Sequence, residues 1–199
     1  MEHIEFPKMA RWSREVIVTE KIDGTNGQIV IELHDESQWA GNPPVATVDV
    51  NDVTYDIWAG SKSRWVYPGG SRDNHGFAQY VSHNADQLAA ILGIGRHYGE
   101  WWGPGIQRGY GLKDKQFSLF NVTRWADLPV NGALLNRVPI LYQGENRPRV
   151  IEESLLILQT LGSQASPGFM RPEGVVWWHT AGNVGFKKTF ENDEKGKGQ

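Results

Sequence analysis

The chain has 199 residues, of which 39% are hydrophobic, and this length allows one domain with a substantial core. Its net charge of -3 excludes a broad positive surface for nucleic acid, so any such contact would be local. Cysteine is absent, which excludes disulfides, thiolate metal sites and cysteine nucleophiles. No apolar run approaches the roughly 18 to 20 residues that cross a bilayer, so we expect a soluble, cytoplasmic protein.

Two half-buried strands are predicted near the start of the chain. Apolar residues alternate with polar ones at Val16, Val18, Ile29, Ile31 and Leu33. Between these strands lies "EKIDGTNG", a turn rich in glycine. A lysine beside an Asp-Gly turn is usually a solvated surface residue, so the turn alone assigns no role to Lys21.

The middle of the chain predicts further strands and a short helix. The polar segment "HDESQWAGNPPVATVDVND" indicates a loop that leads into a strand pair, and "TYDIWAGSKSRWVYP" indicates a strand with a basic end. In "HNADQLAAILGIG", Asn84 is a candidate N-cap, and Gly93 and Gly95 are stop signals. We therefore predict a helix between Asn84 and Gly93.

The second half predicts strands around one more helix. "RHYGEWWGPGIQRGYG" is typical of a strand followed by a loop, and "KQFSLFNVTRW" of a strand. "RVIEESLLILQTLG" has helical spacing and ends at Gly162, and "PEGVVWWHTAGNVGFKKTF" indicates a hairpin that turns at "AGN". The predicted fold is a mixed α+β domain over residues 1–190 with mainly antiparallel strands, followed by a flexible polar tail at 191–199.

Several short motifs follow one another in chain order. They are K-x-D-G at Lys21, "GEWWG" at Glu100, "FSLFN" at Phe120, "EGVV" at Glu173 and "GFKK" at Lys187 and Lys188. In this order the sequence resembles the covalent nucleotidyltransferase superfamily of polynucleotide ligases and capping enzymes. Within it, the sequence is most similar to the ATP-dependent RNA ligases of phage. K-x-D-G alone is common by chance, whereas the ordered set covers nearly the whole chain.

The resemblance implies a fold and an activity. The fold would be a nucleotidyltransferase (ATP-grasp-like) domain, with mainly antiparallel sheets, flanking helices and the nucleotide cleft between them. The enzyme would use ATP and Mg2+ (or Mn2+) to form a lysyl-AMP intermediate, transfer AMP to a 5′-phosphate and join that end to a 3′-hydroxyl. Its partner would be nucleic acid, with RNA ends preferred over DNA, and the protein would be a monomer that binds no membrane.

The resemblance also implies roles for residues of the K-x-D-G turn. Lys21 would carry the AMP, while Glu20 and Ile22 would present backbone groups to the adenine edge. Asp23 and Asn26 would lie beside the reacting phosphates, although turn chemistry explains either residue equally well.

Further roles implied by the resemblance fall later in the chain. Glu100 would accept hydrogen bonds from the ribose, and Phe120 would stack on adenine. Glu173 would hold metal-bound water near the phosphate. A basic residue for the phosphate would be either Lys62 or Arg64.

A lysine that attacks phosphorus must be neutral, whereas an ordinary lysine side chain, with a pKa near 10.4, is protonated at pH 7. Burial, the ammonium groups of Lys187 and Lys188 and a bound Mg2+ would all favour the neutral form. The same positive charges would stabilise negative charge that develops on the phosphate.

Three features depart from the family pattern. Asn121 stands where an aspartate commonly follows the aromatic residue. The lysine pair is K-K rather than K-x-K, so Lys187 and Lys188 would point to opposite faces of a regular strand unless a bulge intervenes. Lys187 is the favoured phosphate contact. Only residues 189–199 follow the pair, so no appended OB-fold or helical domain is expected.

Two other classes of function remain open from the sequence. The same lysine chemistry is used by DNA ligases and by capping-type guanylyltransferases. A catalytically silent module that binds nucleic-acid ends is the other alternative. It is disfavoured because every residue that lysyl-AMP formation needs is present.

Overall fold

The computed structural model describes residues 1–191 and Asp193. Of the polar tail predicted at 191–199, only Glu191 and Asp193 are described, and the rest lies outside the described residues. The strands are β1 (Glu15–Lys21), β2 (Thr25–Leu33), β3 (Ala46–Val50), β4 (Val53–Gly60), β5 (Trp65–Val66), β6 (Gly95–Trp102), β7 (Gln116–Leu119), β8 (Leu135–Arg137), β9 (Ile140–Glu145), β10 (Gly174–His179) and β11 (Val184–Thr189). The α-helices are α1 (Phe77–His83), α2 (Ala85–Leu92) and α3 (Val150–Leu161).

The chain divides into two compact units, and the boundary falls inside the K-x-D-G motif. The first unit contains Met1–Ile22 and the described residues from Val138 onward, and the second is Asp23–Arg137. The single domain expected over residues 1–190 stays a prediction. No helix in the described part of the chain combines the length and apolarity needed to span a membrane.

The first unit is built on a four-stranded antiparallel sheet with the order β11-β10-β1-β9. Its core contains Val16 and Val18 of β1 and Trp177 of β10, packed with Val150 and Leu158 of α3. Each fully buried side chain of this size contributes roughly 1.5 to 3 kcal/mol. Packing in this core therefore holds β1, the strand that ends at Lys21, in position.

The second unit is built on a sheet with the order β3-β4-β2-β6-β7-β8, to which β5 adds by pairing with β4. All pairs are antiparallel except β7 with β8. Ile29, Ile31 and Ile57 alternate onto one face, where they pack with Phe77 of α1 and Leu88 of α2. The opposite face carries Asn26 and Gln28 of β2 and Arg96, Tyr98 and Glu100 of β6.

The mixed α+β class with mostly antiparallel strands is confirmed, but some local predictions are wrong. Helix α1 was not predicted. Asn84 does not cap α2 with its side chain, because its Nδ2 donates back to the Tyr80 carbonyl at the end of α1. Strand β7 ends at Leu119, so Asn121 lies in the following turn.

Candidate functional site

The last residue of β1, Lys21, forms an ion pair with Glu173. Lys21 lies opposite Gly174 in the β1–β10 register, and Glu173 directly precedes Gly174. Lys21 Nζ is 2.5 Å from Glu173 Oε2, and their side chains are only 16% and 12% exposed. Partial burial reduces screening of this pair by water. In this pair Lys21 Nζ donates a hydrogen bond to the Glu173 carboxylate.

The two lysines of β11 lie on opposite faces of the sheet. Lys187 is opposite Val176, which is opposite Thr19, two residues before Lys21. Because side chains alternate along a strand, Lys187 shares the face of Lys21. The pairing of β10 with β11 is regular over six residue pairs, so no bulge intervenes.

The side chain of Lys188 lies on the other face of the sheet. Its register partner Val175 is opposite Glu20, whose side chain is turned away from the Lys21 face. Lys188 Nζ lies 3.3 Å from Asp193 Oδ2. The register therefore brings only one lysine of the pair to the face of Lys21.

Glu20 has a buried carboxylate that anchors the segment after α3. Its side chain accepts hydrogen bonds from the backbone N–H groups of Gln164 at 2.7 Å and Ala165 at 3.0 Å. Burial raises the pKa of Glu20, an effect that hydrogen bonds from Ser163 and these N–H groups partly oppose. The Glu20 N–H donates to the Pro139 carbonyl, so this backbone donor is already engaged. Ile22, the other residue expected at the adenine edge, has a buried side chain.

In the second unit, the loop after β6 holds the Asp-Gly turn. The Asp23 N–H donates to the Tyr110 hydroxyl at 2.8 Å, and Arg108 Nε donates to Asp23 Oδ2 at 2.9 Å. Tyr110 is buried and has a φ of +54°, a left-handed conformation that is costly for a bulky residue. Sequence reasoning missed Arg108 and Tyr110, although the glycines in "RGYG" were a signal of unusual backbone.

Glu100 lies on the outer face of β6, directly opposite Asn26 of β2. Its carboxylate accepts from the Gly24 N–H at 3.1 Å and from Asn26 Nδ2 at 3.3 Å. A Cβ at Gly24 would lie 2.5 Å from the Trp101 carbonyl oxygen, so only glycine allows the turn to approach β6 this closely. The fold thus brings together Glu100, Asn26 and the Asp-Gly turn.

Gly99, which precedes Glu100, has a packing role. Gly99 faces the core, where an added Cβ would lie 2.8 Å from the Phe117 ring. The absence of a side chain at Gly99 therefore serves packing within the sheet rather than approach of a ligand.

Phe120 immediately follows β7 and is 43% exposed. Its N–H donates to the Tyr98 carbonyl at 2.9 Å, which continues the β6–β7 pairing by one residue. The next residue, Asn121, accepts from the Arg124 N–H at 3.0 Å and so begins a turn. Phe120 is not a core residue, and its ring is available to a ligand.

Lys62 and Arg64 lie in the turn between β4 and β5, and both are exposed. The Ser61 N–H donates to the Arg64 carbonyl at 2.8 Å, which closes the turn. Gly60, at the end of β4, is opposite Gln28, two residues after Asn26. The turn that carries Lys62 and Arg64 therefore begins next to the end of β2 that contains Asn26.

Glu173 is the carboxylate that could hold a metal ion beside Lys21. The described residues contain no group of three or more histidine, aspartate or glutamate side chains that could hold a metal ion. Glu173 supplies one partly exposed carboxylate beside Lys21. Mg2+ in phosphate-binding sites commonly uses one or two carboxylates together with water and phosphate oxygens. The donor set fits that arrangement and does not fit an all-protein cage.

The sequence of this chain matches one known protein family. The sequence profile of the RNA ligase family matches residues 14–190. The chain belongs to the RNA ligase family. The match includes every residue that the motifs singled out. A comparison with curated proteins finds no significant match.

Solved structures of a Naegleria gruberi RNA ligase have the same fold. A lysine-to-alanine mutant with ATP and Mn matches with a TM-score of 0.54 and 18% identity, over 89% of this chain and 49% of that chain. The ligase with PPi gives a TM-score of 0.54 and 19% identity over 89% and 50% of the two chains. A glutamate-to-alanine mutant with AMP and Mn gives 0.53 and 18% over 89% and 50%. This RNA ligase family member therefore spans about half the length of the ligases it matches.

Proposed function

We propose that this chain is the nucleotidyltransferase part of an ATP-dependent RNA ligase. The observation that carries the proposal is the Lys21–Glu173 pair of 2.5 Å at the end of the K-x-D-G strand. A lysine nucleophile needs a nearby group that takes its proton, and Glu173 is within hydrogen-bond distance. The family match over residues 14–190 supports the same chemistry.

The proposed reaction has three steps. In the first, Lys21 Nζ gives up a proton and attacks the α-phosphorus of ATP, so that a P–N bond forms and pyrophosphate leaves. The second step transfers AMP to the 5′-phosphate of an RNA strand, which breaks the P–N bond and regenerates Lys21. Finally, a 3′-hydroxyl attacks the activated phosphate, and AMP leaves as the phosphodiester forms.

Positive charge on the Lys21 face serves the first step. Lys187 shares this face and is exposed, so it would contact the phosphates as their negative charge increases. Glu173 would hold Mg2+ (or Mn2+) together with phosphate oxygens. The ion would supply further positive charge against the phosphates. We assign no phosphate contact to Lys188, because the register turns it to the other face.

The resemblance to RNA ligases supports further roles in ATP binding. Phe120 would stack on adenine, and Glu100 would accept from the ribose hydroxyls. Asp23 and Asn26 would lie beside the phosphates, and either Lys62 or Arg64 would add a basic contact. Glu20 and Ile22 would present backbone groups to the adenine edge.

The proposal is tested by joining assays with two nucleotides and two polymers. Single-stranded and nicked RNA and DNA with 5′-phosphate ends are incubated with ATP or GTP and Mg2+. We expect joined RNA with ATP, less joined DNA and none with GTP. Joining or covalent labelling that uses GTP and not ATP would contradict the proposal.

A further inference from the structure

Two exposed aromatic side chains lie directly opposite each other in the sheet of the second unit. Gly99 of β6 pairs with Leu119 of β7, so the preceding residue Tyr98 lies opposite Phe120. Tyr98 is 54% exposed and Phe120 is 43% exposed. Opposite residues of an antiparallel pair have their Cβ atoms roughly 4.5 to 5.5 Å apart. The sheet therefore presents two neighbouring rings to a ligand.

Both rings are on the face that carries the candidate site. Along β6, Arg96, Tyr98 and Glu100 alternate with His97 and Gly99, which are buried. The His97 side packs toward the core formed with α1 and α2. Tyr98 consequently shares the outer face with Glu100.

Neither ring stacks on another aromatic ring in the described part of the chain. Phe77 and Phe117 of the core, in contrast, have ring centroids 5.0 Å apart. A single exposed aromatic residue is ordinary on a protein surface. Two opposite rings on the face of Glu100, both free of aromatic partners, suit a flat ligand instead.

A positive charge lies next to the rings. Arg96 is exposed and precedes Tyr98 by two residues on the same face, about 6.6 Å along the strand. Proteins bind single-stranded nucleic acids by stacking bases on aromatic rings and by placing cations against phosphates. Arg96 and Tyr98 provide both kinds of contact at neighbouring positions.

We propose that Tyr98 is a second base-stacking residue, which holds an unpaired RNA base beside the adenine on Phe120, while Arg96 contacts a phosphate of that strand. The inference rests on the proposed function, because it takes Phe120 as the adenine platform and RNA as the substrate. The ligand is a base of a single-stranded RNA end rather than a duplex, since the bases of a duplex are stacked on each other.

The test measures RNA binding without ATP. A 5′-phosphorylated single-stranded oligoribonucleotide with a 3′ fluorophore is titrated at low salt, and its anisotropy is followed. Tyr98→Ala should weaken binding about tenfold, and Tyr98→Phe and Tyr98→Trp should bind like wild type. The matched control is Ile94→Ala, which removes a 53% exposed apolar side chain just before β6 and should change nothing. Arg96→Gln should lower the slope of log affinity against log salt by about 0.7.

A second titration identifies the stacked base. With an oligoribonucleotide in which the bases are replaced by abasic residues, wild type and Tyr98→Ala should bind equally. The KM for ATP in lysine labelling should be the same in both proteins. Melting temperatures of all variants are measured in parallel, and the Phe and Trp variants keep the test informative if the alanine variant unfolds.

Several results would overturn the inference. These are equal RNA affinity of wild type and Tyr98→Ala, a tenfold loss that persists with abasic RNA, or no RNA binding by wild type. A raised KM for ATP with unchanged RNA affinity would assign Tyr98 to the adenine of ATP and also reject the inference. If Tyr98-dependent RNA binding is found but Lys21 is never labelled, the proposed function fails and the inference about the RNA site stands.

Discussion

Lys21 Nζ and Glu173 Oε2 are 2.5 Å apart, although 152 residues separate the two in sequence. The β1–β10 register explains this contact, because it places Gly174 opposite Lys21 and Glu173 at the edge of that pair. Lys21 Nζ donates to the carboxylate in this pair, whereas an attacking lysine needs a free lone pair on Nζ. In the proposed reaction, Glu173 takes a proton from Lys21 before the lysine attacks.

Replacement of Glu173 by glutamine tests this role. Glu173→Gln keeps the shape of the side chain but removes the charge that accepts a proton. We expect the initial rate of covalent AMP labelling to fall by about 100-fold, a typical effect of losing a proton acceptor. Because Glu173 is also proposed to hold the metal ion, higher Mg2+ or Mn2+ should restore only part of the rate.

The control for Glu173 is Glu153→Gln, which breaks an exposed ion pair with Arg147 in the same unit. Exposed pairs contribute little stability, so Glu153→Gln should leave labelling unchanged. Wild-type labelling rates in Glu173→Gln would show that the carboxylate is only a structural partner of Lys21.

The two lysines of β11 provide a matched comparison. Lys187 shares the face of Lys21, whereas Lys188 shares the face of Glu20 and approaches Asp193. We expect Lys187→Ala to slow labelling by ATP at least tenfold and Lys188→Ala to slow it less than twofold, since only the former removes charge near the phosphates. Single-turnover labelling at saturating ATP measures both. Similar losses in the two variants would contradict the assignment by register.

Because Phe120 is exposed, substitutions there can test adenine stacking without disturbing the core. Because the ring lies outside the core, Phe120→Ala should leave the melting temperature within about 2 °C of wild type. Loss of base stacking should raise the KM for ATP by about tenfold, and Phe120→Tyr and Phe120→Trp should remain near wild type. A large drop in melting temperature with equal loss of activity in all three variants would instead mark Phe120 as a packing residue.

The strands and the helix end near the candidate residues were predictable from local sequence patterns. Alternation predicted β1 and β2, and Gly162 marked the end of α3. The resemblance to polynucleotide ligases, carried by K-x-D-G and "EGVV" among the ordered motifs, identified Lys21 and Glu173 as candidates. The contact between these two side chains depends on the register of β1 with β10, which no spacing in the sequence states.

Other features required the fold. The K-K pair left two arrangements open, and only the regular pairing of β10 with β11 separates Lys187 from Lys188. Helix α1 escaped prediction because it is short, and Gly76 at its N-cap provides no side-chain hydrogen bond. The role of Tyr110 could not be predicted, because its hydroxyl contacts Asp23, which is 87 positions away in the sequence.

The loop after β6 gives a prediction that compares two tyrosines. Tyr110→Phe deprives the Asp23 N–H of its hydroxyl acceptor and should cost about 1 kcal/mol of unfolding free energy. Tyr80→Phe removes a hydroxyl that donates to the Leu134 carbonyl and should cost a similar amount. Urea unfolding measures both costs.

Labelling by ATP should distinguish the two tyrosine variants. Of the two tyrosines, Tyr110 is the one that contacts Asp23, which is proposed to lie beside the phosphates. We expect Tyr110→Phe to slow labelling several-fold and Tyr80→Phe to label like wild type. Equal labelling in both variants would show that the bond to Asp23 supports the fold alone.

The central claim is that Lys21 becomes covalently bound to AMP. The most direct measurement is intact-protein mass spectrometry after incubation with ATP and Mg2+, followed by peptide mapping of the modified residue. The account predicts a single added AMP on Lys21 in wild type and in Lys188→Ala, and no added mass in a folded Lys21→Ala. AMP on another residue, or an added mass that persists in Lys21→Ala, would contradict it.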